Sequence, residues 1–219
     1  MIQRFALSFL VFIGLAAPAA AQFAWPTEAP ENWALAIVDV ETTGLDPAYN
    51  EMIDLGAIYT DLDGNEIGRF FIRMNPDHPD RASEGARGVN GYDEARWQEL
   101  GAVSEEEAVA AFLAFHEDMS GERTIIFTAY NAYFDRSFLD ALLQEHGSSF
   151  RDLYTYYVLD LPSVAWGHGL RHLRSSGNAV AIGLEPETDD PLLHTGETGS
   201  QFNLELYRAI LAAQAETAN

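Results

Sequence analysis

The chain has 219 residues with 47% hydrophobic residues, no cysteine and a net charge of −22. This length and composition fit one globular domain with a sizeable core, and they exclude a disordered chain, disulfides and thiolate chemistry. The negative charge excludes a broad basic track for long nucleic acids, because non-specific binding to phosphates comes from Lys and Arg.

The first 21 residues have the pattern of a secretory signal peptide. Arg4 is followed by an apolar run at 5–17, and small residues precede a cleavage site before Gln22. The run is too short for a membrane-spanning helix, which needs about 20 apolar residues. We therefore expect a secreted or periplasmic protein without a membrane anchor after cleavage. Residues 22–33 are predicted to form a linker, and 34–215 the folded domain.

Three strands are predicted at the start of the domain. The apolar run at 34–39 ends in an acid and indicates a buried strand. The runs at 52–60 and 66–74 flank Asp63-Gly64, a hairpin-turn dipeptide, so these two strands should pair antiparallel.

The rest of the domain alternates helices and strands. Ser104 and Glu107 have capping-box spacing and begin a helix with an apolar stripe. The later predicted elements are a strand at 124–128, a helix at 134–143, a strand at 156–159, and helices at 163–173 and 200–215. This order predicts an α/β domain with a mixed sheet.

Two carboxylates follow the first buried run. Asp39 and Glu41 alternate along the strand, so their side chains point to the same face. Side-by-side carboxylates repel each other unless a cation lies between them, and oxygen ligands suit Mg²⁺ or Mn²⁺. On their own, such pairs are more often simply solvated.

A second polar group follows the strand at 124–128. Asp135 falls in the first turn of the next helix, beside the carboxyl edge of the sheet where α/β proteins bind ligands. The simpler alternatives are that Asp135 caps the helix and that Asn131 forms the turn before it.

Together these motifs resemble the DEDDh 3′→5′ exonucleases, a group that includes the proofreading subunit of the bacterial replicative polymerase. The matching stretches are Asp-Val-Glu-Thr-Thr-Gly-Leu-Asp-Pro at 39–47, Tyr-Asn-Ala-Tyr-Phe-Asp-Arg-Ser-Phe-Leu at 130–139, and the late His194. The segments Asn75-Pro76 and 88–91 also resemble that family's loop after its third strand. The resemblance covers 34–212 and implies a ribonuclease-H-like fold.

The resemblance also implies hydrolysis of phosphodiesters with two divalent ions, Mg²⁺ or Mn²⁺, about 3.5–4 Å apart. Asp39 would bridge both ions, Glu41 would hold the ion that activates water, and Asp135 would support the other ion. The residues implied to contact the terminal nucleotide are Thr42, Thr43, Gly44 and Asn131. Gly44 would let the backbone approach the substrate closely.

The family's last motif is only partly present. His194 stands where the general base is expected, and its ordinary pKa near 6.5 suits neutral pH. Gly199 replaces the fourth carboxylate. Glu197 is the nearest candidate substitute ligand, provided that it lies in a loop, because two helical positions so close would face different sides. Further candidates are Asp189, Asp190 and Asn203.

We therefore expect an exported, metal-dependent 3′→5′ exonuclease that acts on the ends of single-stranded or short DNA or RNA. The missing carboxylate leaves an alternative, which is a catalytically impaired module of the same fold that binds nucleotides or a protein partner. A phosphodiesterase acting on a small molecule through the same metals is a third hypothesis.

Overall fold

The computed structural model describes residues 24–217, so the predicted signal peptide at 1–21 lies outside the described residues. Among residues 24–217, no helix is long and apolar enough to cross a membrane. The predicted linker is partly ordered on the domain. Pro30–Asn32 form a 3-10 helix, and the indole N–H of Trp33 donates to the Ala24 carbonyl at 3.0 Å. The folded domain therefore begins before residue 34.

A five-stranded mixed sheet forms the centre of the molecule, in the order β3-β2-β1-β4-β5. The strands are β1 (Trp33–Thr42), β2 (Met52–Thr60), β3 (Glu66–Arg73), β4 (Thr124–Ala129) and β5 (Val158–Asp160). β2 pairs antiparallel with β1 and β3, whereas β4 pairs parallel with β1 and β5. The predicted hairpin and mixed sheet are confirmed.

Eight helices pack around this sheet in the described part of the chain. They are α1 (Glu84–Asn90), α2 (Glu94–Glu99), α3 (Glu105–Ser120), α4 (Ala132–Glu145), α5 (Phe150–Leu153), α6 (Leu161–Gly167), α7 (Ser175–Ala181) and α8 (Gly196–Thr217). The capping box at the start of α3 is present as predicted.

Two predicted helix boundaries are wrong. The helix predicted at 163–173 is α6, which begins at Leu161 because proline suits the first helical turn, and ends at Gly167. The last helix begins at Gly196, earlier than the predicted residue 200. Glycine has a low helix propensity, and packing against the sheet overrides it here.

The sheet separates two cores, and β1 contributes to both by alternation. Its residues Ala34, Ala36, Val38 and Val40 face the core that contains Phe112 of α3 and Leu139 of α4. Leu35 and Ile37 face Leu204 and Tyr207 of α8. Asp39 and Glu41 continue this second face, so the strand aims both carboxylates toward the start of α8.

Glycines allow α8 to cross the sheet in close contact. A Cβ at Gly56 in β2 would overlap the Gly196 carbonyl, and a Cβ at Gly196 would lie 2.5 Å from the Asp39 carbonyl oxygen. The Gly196 N–H donates to Asp54 Oδ1 at 2.9 Å, which ties the first turn of the helix to β2. This crossing places Gly199 directly over Asp39.

Candidate active site

A cleft of about 470 Å³ opens where β1 ends beside α1, α4 and the loop before α8. Of the predicted catalytic, metal-holding and substrate-contacting residues, all except Thr43 line this cleft, and none of the candidate substitute ligands does. The fold therefore brings together side chains that are separated by more than 150 positions in the chain, from Asp39 to His194.

The carboxylates at the base of the cleft are oriented by hydrogen bonds from the protein. Asp135 is buried in the first turn of α4, and its Oδ1 accepts from the Val40 N–H at 3.1 Å. Glu41 is buried in β1, and its Oε2 accepts from Asn90 Nδ2 at 3.1 Å. Each acid is thus oriented by the protein and keeps further lone pairs for a ligand.

Burial and like charge act together on these acids. Burial raises the pKa of Asp39 well above its ordinary value, and the negative charges of Asp135, Glu187 and Glu41 raise it further. Burial also raises the pKa of Asp135, against the lowering effect of its backbone hydrogen bonds. The fully ionised cluster is therefore unfavourable unless a positive charge enters it.

The chemical type of the available ligand atoms suits a hard divalent cation. Asp39, Glu41 and Asp135 offer carboxylate oxygens, which Mg²⁺ and Mn²⁺ prefer, and their negative charges are concentrated in a buried place. In residues 24–217, no three His, Asp or Glu side chains are already arranged around one point for a metal ion. Cation binding would therefore draw the carboxylates together.

His194 is the only cationic group among the cleft-lining residues that the structure describes. Its Nε2 lies 3.1 Å from Glu41 Oε1, and its Nδ1 donates to the Thr188 carbonyl at 3.0 Å. The hydrogen bond to Glu41, followed by the charges of Glu41 and Glu187, raises the pKa of His194 to about 9, although burial opposes this shift. The prediction of an ordinary pKa is therefore wrong for this arrangement, in which His194 is protonated at neutral pH.

Gly199 lies against the carboxylate of Asp39. A Cβ at Gly199 would overlap Asp39 Oδ2, so Asp39 occupies the space where a side chain at position 199 would begin. The absence of a fourth carboxylate at this position is therefore accompanied by close packing of the helix on Asp39.

The structure does not place Glu197 in the role of substitute ligand. Both Glu197 and Gly199 lie in α8, where two positions differ by about 200° around the helix axis. Gly199 packs on the Asp39 carboxylate, whereas Glu197 is exposed in a separate groove beside Arg69.

The other candidates named for this role also lie elsewhere. Asp189 and Asp190 are exposed, and Asp190 Oδ1 accepts from the Leu192 N–H at 3.0 Å. Asn203 is buried and its Nδ2 donates to the Val38 carbonyl at 3.4 Å, so it supports β1 without adding charge.

The predicted substrate loop divides into lining and supporting residues. Thr42 and Gly44 line the cleft, and Thr42 Oγ1 donates to the Gly44 carbonyl at 2.6 Å. Thr43 is fully buried, and its Oγ1 accepts from the Glu51 N–H at 2.9 Å. It supports the loop instead of lining the cleft.

Two positions in the lining have a special backbone environment. A Cβ at Gly44 would overlap the Asn50 side chain, which is a local reason for glycine there. Asn131 lines the cleft in a left-handed conformation, with φ of 60°.

Three further residues of the site were not predicted. Asn90 holds Glu41. In the sequence it falls in the segment 88–91 that resembles the family's loop and precedes Gly91 at the end of α1, but neither pattern assigns it a role at the site. Asp54 is a lone acid inside an apolar strand and pairs with Glu41 across the sheet. Glu187 precedes α8, and nothing in the sequence distinguishes it from Asp189 or Asp190.

The order of the sheet and the carboxylates at the end of β1 define a ribonuclease-H-like nuclease fold. Residues 36–166 match the model of the exonuclease family RNase_T, and the chain therefore belongs to this family. The predicted fold class and the resemblance to DEDD-type 3′→5′ exonucleases are confirmed at this level.

Individual relatives are longer than this chain. It is 30% identical over 109 residues to the PolC-type DNA polymerase III of Thermotoga petrophila, a match that covers 50% of the chain and 7% of the polymerase. Exonuclease I has a similar fold, with a TM-score of 0.68 and 17% identity over 84% of this chain and 41% of that chain. The zinc-bound complex of E. coli exonuclease I with single-stranded DNA gives a TM-score of 0.68, with 16% identity over 84% of this chain and 41% of that chain. The chain thus spans less than half the length of these relatives.

Proposed function

We propose that the protein is an exported, metal-dependent exonuclease that removes nucleotides from the 3′ ends of single-stranded or short DNA or RNA. The observation that carries this proposal is the meeting of Asp39, Glu41, Asp135 and His194 in one cleft. No Lys or Arg lines that cleft in the described chain, so His194 is the only cationic side chain that the protein provides to the acids there.

Each acidic residue has a defined task in this proposal. Asp39, Glu41 and Asp135 would hold Mg²⁺ or Mn²⁺. When bound, these ions supply the positive charge that activates water and stabilises the leaving oxygen of the phosphodiester. The side chain of Asn90 orients Glu41, and the Val40 N–H orients Asp135.

His194 would serve as the base. Its Nε2 lies beside Glu41 Oε1, and this hydrogen bond is the largest cause of the raised pKa of His194. For this reason, His194 can accept a proton near neutral pH only after the hydrogen bond between its Nε2 and the Glu41 carboxylate has broken. The Thr188 carbonyl continues to orient the ring through Nδ1.

The cleft and the surface charge favour a small nucleic-acid end. Leu45, Val89 and Phe134 also line the cleft and give it an apolar part, which suits a base and sugar beside a phosphodiester. The net charge of −22 disfavours long duplexes, which bind by neutralising many phosphates. A free 3′ end of a single strand presents few phosphates to this surface.

The test is hydrolysis of 5′-labelled single-stranded DNA and RNA by the mature chain with Mn²⁺, Mg²⁺ or EDTA. We expect a ladder that shortens from the 3′ end, requires a divalent ion and disappears with Asp39→Asn. Glu197→Gln removes the same charge outside the cleft and should retain the ladder. Cleavage that persists in EDTA or in Asp39→Asn would contradict the proposal.

Export is proposed from the pattern of the first 21 residues alone. Expression of the full chain in a Gram-negative host followed by fractionation should recover the protein outside the cytoplasm. Mass spectrometry of this fraction should find Gln22 as the first residue. Recovery of the uncleaved chain in the cytoplasm would contradict export.

The position of Gly199 favours a second candidate function. With no side chain at this position and His194 paired with Glu41, the fold would act as a binding module for nucleotides. Fluorescence anisotropy with a labelled oligonucleotide would then detect binding in every metal condition, while the ladder assay detects no shortening.

A further inference from the structure

A second groove, of about 300 Å³, borders the cleft and is not used in the proposed hydrolysis. Tyr130, Asn131 and His194 line both the cleft and this side groove, so the two adjoin each other. The remaining lining residues of the side groove belong to two segments, 173–176 and 187–189. The side groove is therefore placed to receive what extends from a ligand bound in the cleft.

Hydrogen bonds fix the segment 172–173 to the rim of the cleft. The Tyr130 hydroxyl donates to the Leu173 carbonyl at 3.2 Å and accepts from Asn178 Nδ2 at 3.1 Å. Asn178 is fully buried, its Nδ2 also donates to the His172 carbonyl at 3.0 Å, and its Oδ1 accepts from the His172 N–H at 3.2 Å. The position of the next residue, Arg174, is therefore set by a side chain that itself lines the cleft.

The segment that carries Arg174 is free of acids in a chain that is otherwise acidic. The chain has 34 Asp and Glu residues, yet none lies between positions 161 and 184, where Arg171 and Arg174 are found. The Arg171 guanidinium lies over the Trp166 ring at 4.6 Å and donates to the Trp166 carbonyl, so it is held by the protein. The rim of the acidic cleft therefore has local positive charge on this side.

Arg174 is the arginine that the fold does not use. It is exposed, and within residues 24–217 its guanidinium makes no hydrogen bond, ion pair or aromatic contact. Every other arginine of that range makes at least one such contact. Ser175 and Ser176 line the side groove together with Arg174. Guanidinium and hydroxyl groups donate hydrogen bonds to phosphate oxygens, so this set suits a phosphodiester.

Two acids in the other lining segment limit what the side groove can bind. Glu187 and Asp189 also line it, and Glu187 Oε1 lies 3.6 Å from His194 Nδ1. Their negative charges disfavour a free phosphate ion. A phosphate that belongs to a strand already held in the cleft has a much higher effective concentration at Arg174. The side groove therefore favours a strand over a free anion.

We propose that Arg174 is a substrate-binding residue that contacts a backbone phosphate of the single strand whose 3′ end lies in the cleft. The side groove would then hold the nucleotide that precedes the phosphodiester to be cleaved. This inference rests on the proposed function, because it assumes that the cleft receives a 3′ end. It makes a strand with more than one phosphate a better substrate than an ester of a single nucleotide.

The test compares two substrates of the mature protein with Mn²⁺, a single-stranded oligonucleotide and the p-nitrophenyl ester of thymidine 5′-monophosphate. The ester has a phosphodiester for the cleft but no further phosphate for the side groove. Arg174→Ala should raise KM for the oligonucleotide by about tenfold, as expected for loss of a hydrogen bond to a charged group, with kcat little changed. Its rates with the ester should match those of the wild type.

The dependence on salt identifies the contact as electrostatic. For the oligonucleotide, the slope of log kcat/KM against log salt concentration should become shallower by about 0.7 in Arg174→Ala, the value for one phosphate contact on a single strand. Arg174→Lys keeps the charge and should restore most of that slope. Arg123→Ala is the matched control and should behave like the wild type, because Arg123 is exposed just before β4 begins, at the end of the sheet away from the cleft. Melting curves in EDTA check that all variants are folded.

The outcomes also distinguish this inference from the proposed function. If the wild type hydrolyses both substrates and Arg174→Ala has the wild-type KM for the oligonucleotide, the role of Arg174 is overturned and the proposed exonuclease remains. Equal losses on both substrates, or a salt slope in Arg174→Lys as shallow as in Arg174→Ala, would also overturn the phosphate contact. If the wild type hydrolyses neither substrate, or only the ester, both the inference and the proposed action on nucleic acid are overturned.

Discussion

Two buried polar clusters lie on opposite faces of the sheet, and they differ in charge. On the α3 side, the Tyr59 hydroxyl is 2.6 Å from His116 Nδ1 and 3.3 Å from the Tyr154 hydroxyl. Burial lowers the pKa of His116 to about 4 and raises the pKa of Tyr59. All three groups are therefore neutral at pH 7, and each has a hydrogen-bond partner.

The cleft on the α8 side contains buried acids whose negative charges are not balanced by an equal number of cationic side chains. Asp39, Glu41 and Asp135 lie together with only His194 as a cationic neighbour among the cleft-lining residues described. A neutral and hydrogen-bonded cluster stabilises a core, whereas buried like charges lower stability unless a ligand neutralises them. We therefore expect the first cluster to serve the fold, and we propose that the second serves binding.

The largest expected effect is that of Asp39→Asn. Hydrolysis of a 3′ end should fall by at least about 100-fold, because the proposed function makes Asp39 one of the acids that hold the metal. The same change removes a buried charge, so the melting temperature in EDTA should rise above that of the wild type. Steady-state rates and calorimetry measure the two effects. A lower melting temperature with normal hydrolysis would show that Asp39 stabilises the folded state and has no role in hydrolysis.

The second prediction concerns the dependence of stability on pH at Asp54. Burial and the charge of Glu41 raise the pKa of Asp54 to about 8 from 3.8. Between these two values the folded state keeps a proton that the unfolded state has lost, so wild-type stability falls as pH rises toward 8. Each unit of pKa difference corresponds to about 1.4 kcal/mol.

Asp54→Asn removes this titration and keeps an oxygen for the Gly196 N–H. The variant should be more stable than the wild type above about pH 8, and the difference should shrink as pH falls toward about 4. Thermal melts in EDTA across this range measure it. A difference that does not change with pH would contradict the assignment.

A smaller effect is expected from Asn90→Ala. Asn90 Nδ2 donates to Glu41 Oε2 and to the Thr42 carbonyl, so its loss frees the acid to move. Hydrolysis should fall by about tenfold, as for other residues that orient a metal-holding acid. Asn75→Ala is the matched control, because Asn75 donates to the Ala102 carbonyl away from the cleft. Equal losses in both variants would indicate a general effect on folding.

The smallest effect on activity is expected from the neutral cluster. Tyr59→Phe leaves a nitrogen of the buried His116 without its partner, which should cost about 1–3 kcal/mol of unfolding free energy. Hydrolysis under native conditions should stay unchanged. Urea melts and rate measurements on the same sample test both statements. A large loss of activity would show that the two faces of the sheet are coupled.

The sequence predicts the positions of the acids at the end of β1 better than the positions of the residues that orient these acids. Alternation along one strand is a local property, so it correctly places Asp39 and Glu41 on one face. The position of Asp135 follows from the first turn of the next helix. Both the mixed sheet and the capping box of α3 also follow from local patterns.

What the sequence does not predict depends on contacts between distant segments. Asn90 reaches Glu41 only because α1 folds over the end of β1, and the pairing of Asp54 with Glu41 requires the strand register. The helical state of Glu197 depends on the packing of α8 against Gly56, which outweighs the low helix propensity of Gly196 and Gly199.

The most direct test of the central claim is scanning calorimetry of the mature protein with increasing Mn²⁺. If the buried carboxylates of the cleft are kept for a divalent cation, the wild-type melting temperature should rise with Mn²⁺ concentration, because the ion binds only the folded state. The melting temperature of Asp39→Asn should then stay nearly constant. No rise in the wild type, or an equal rise in both proteins, would contradict the account.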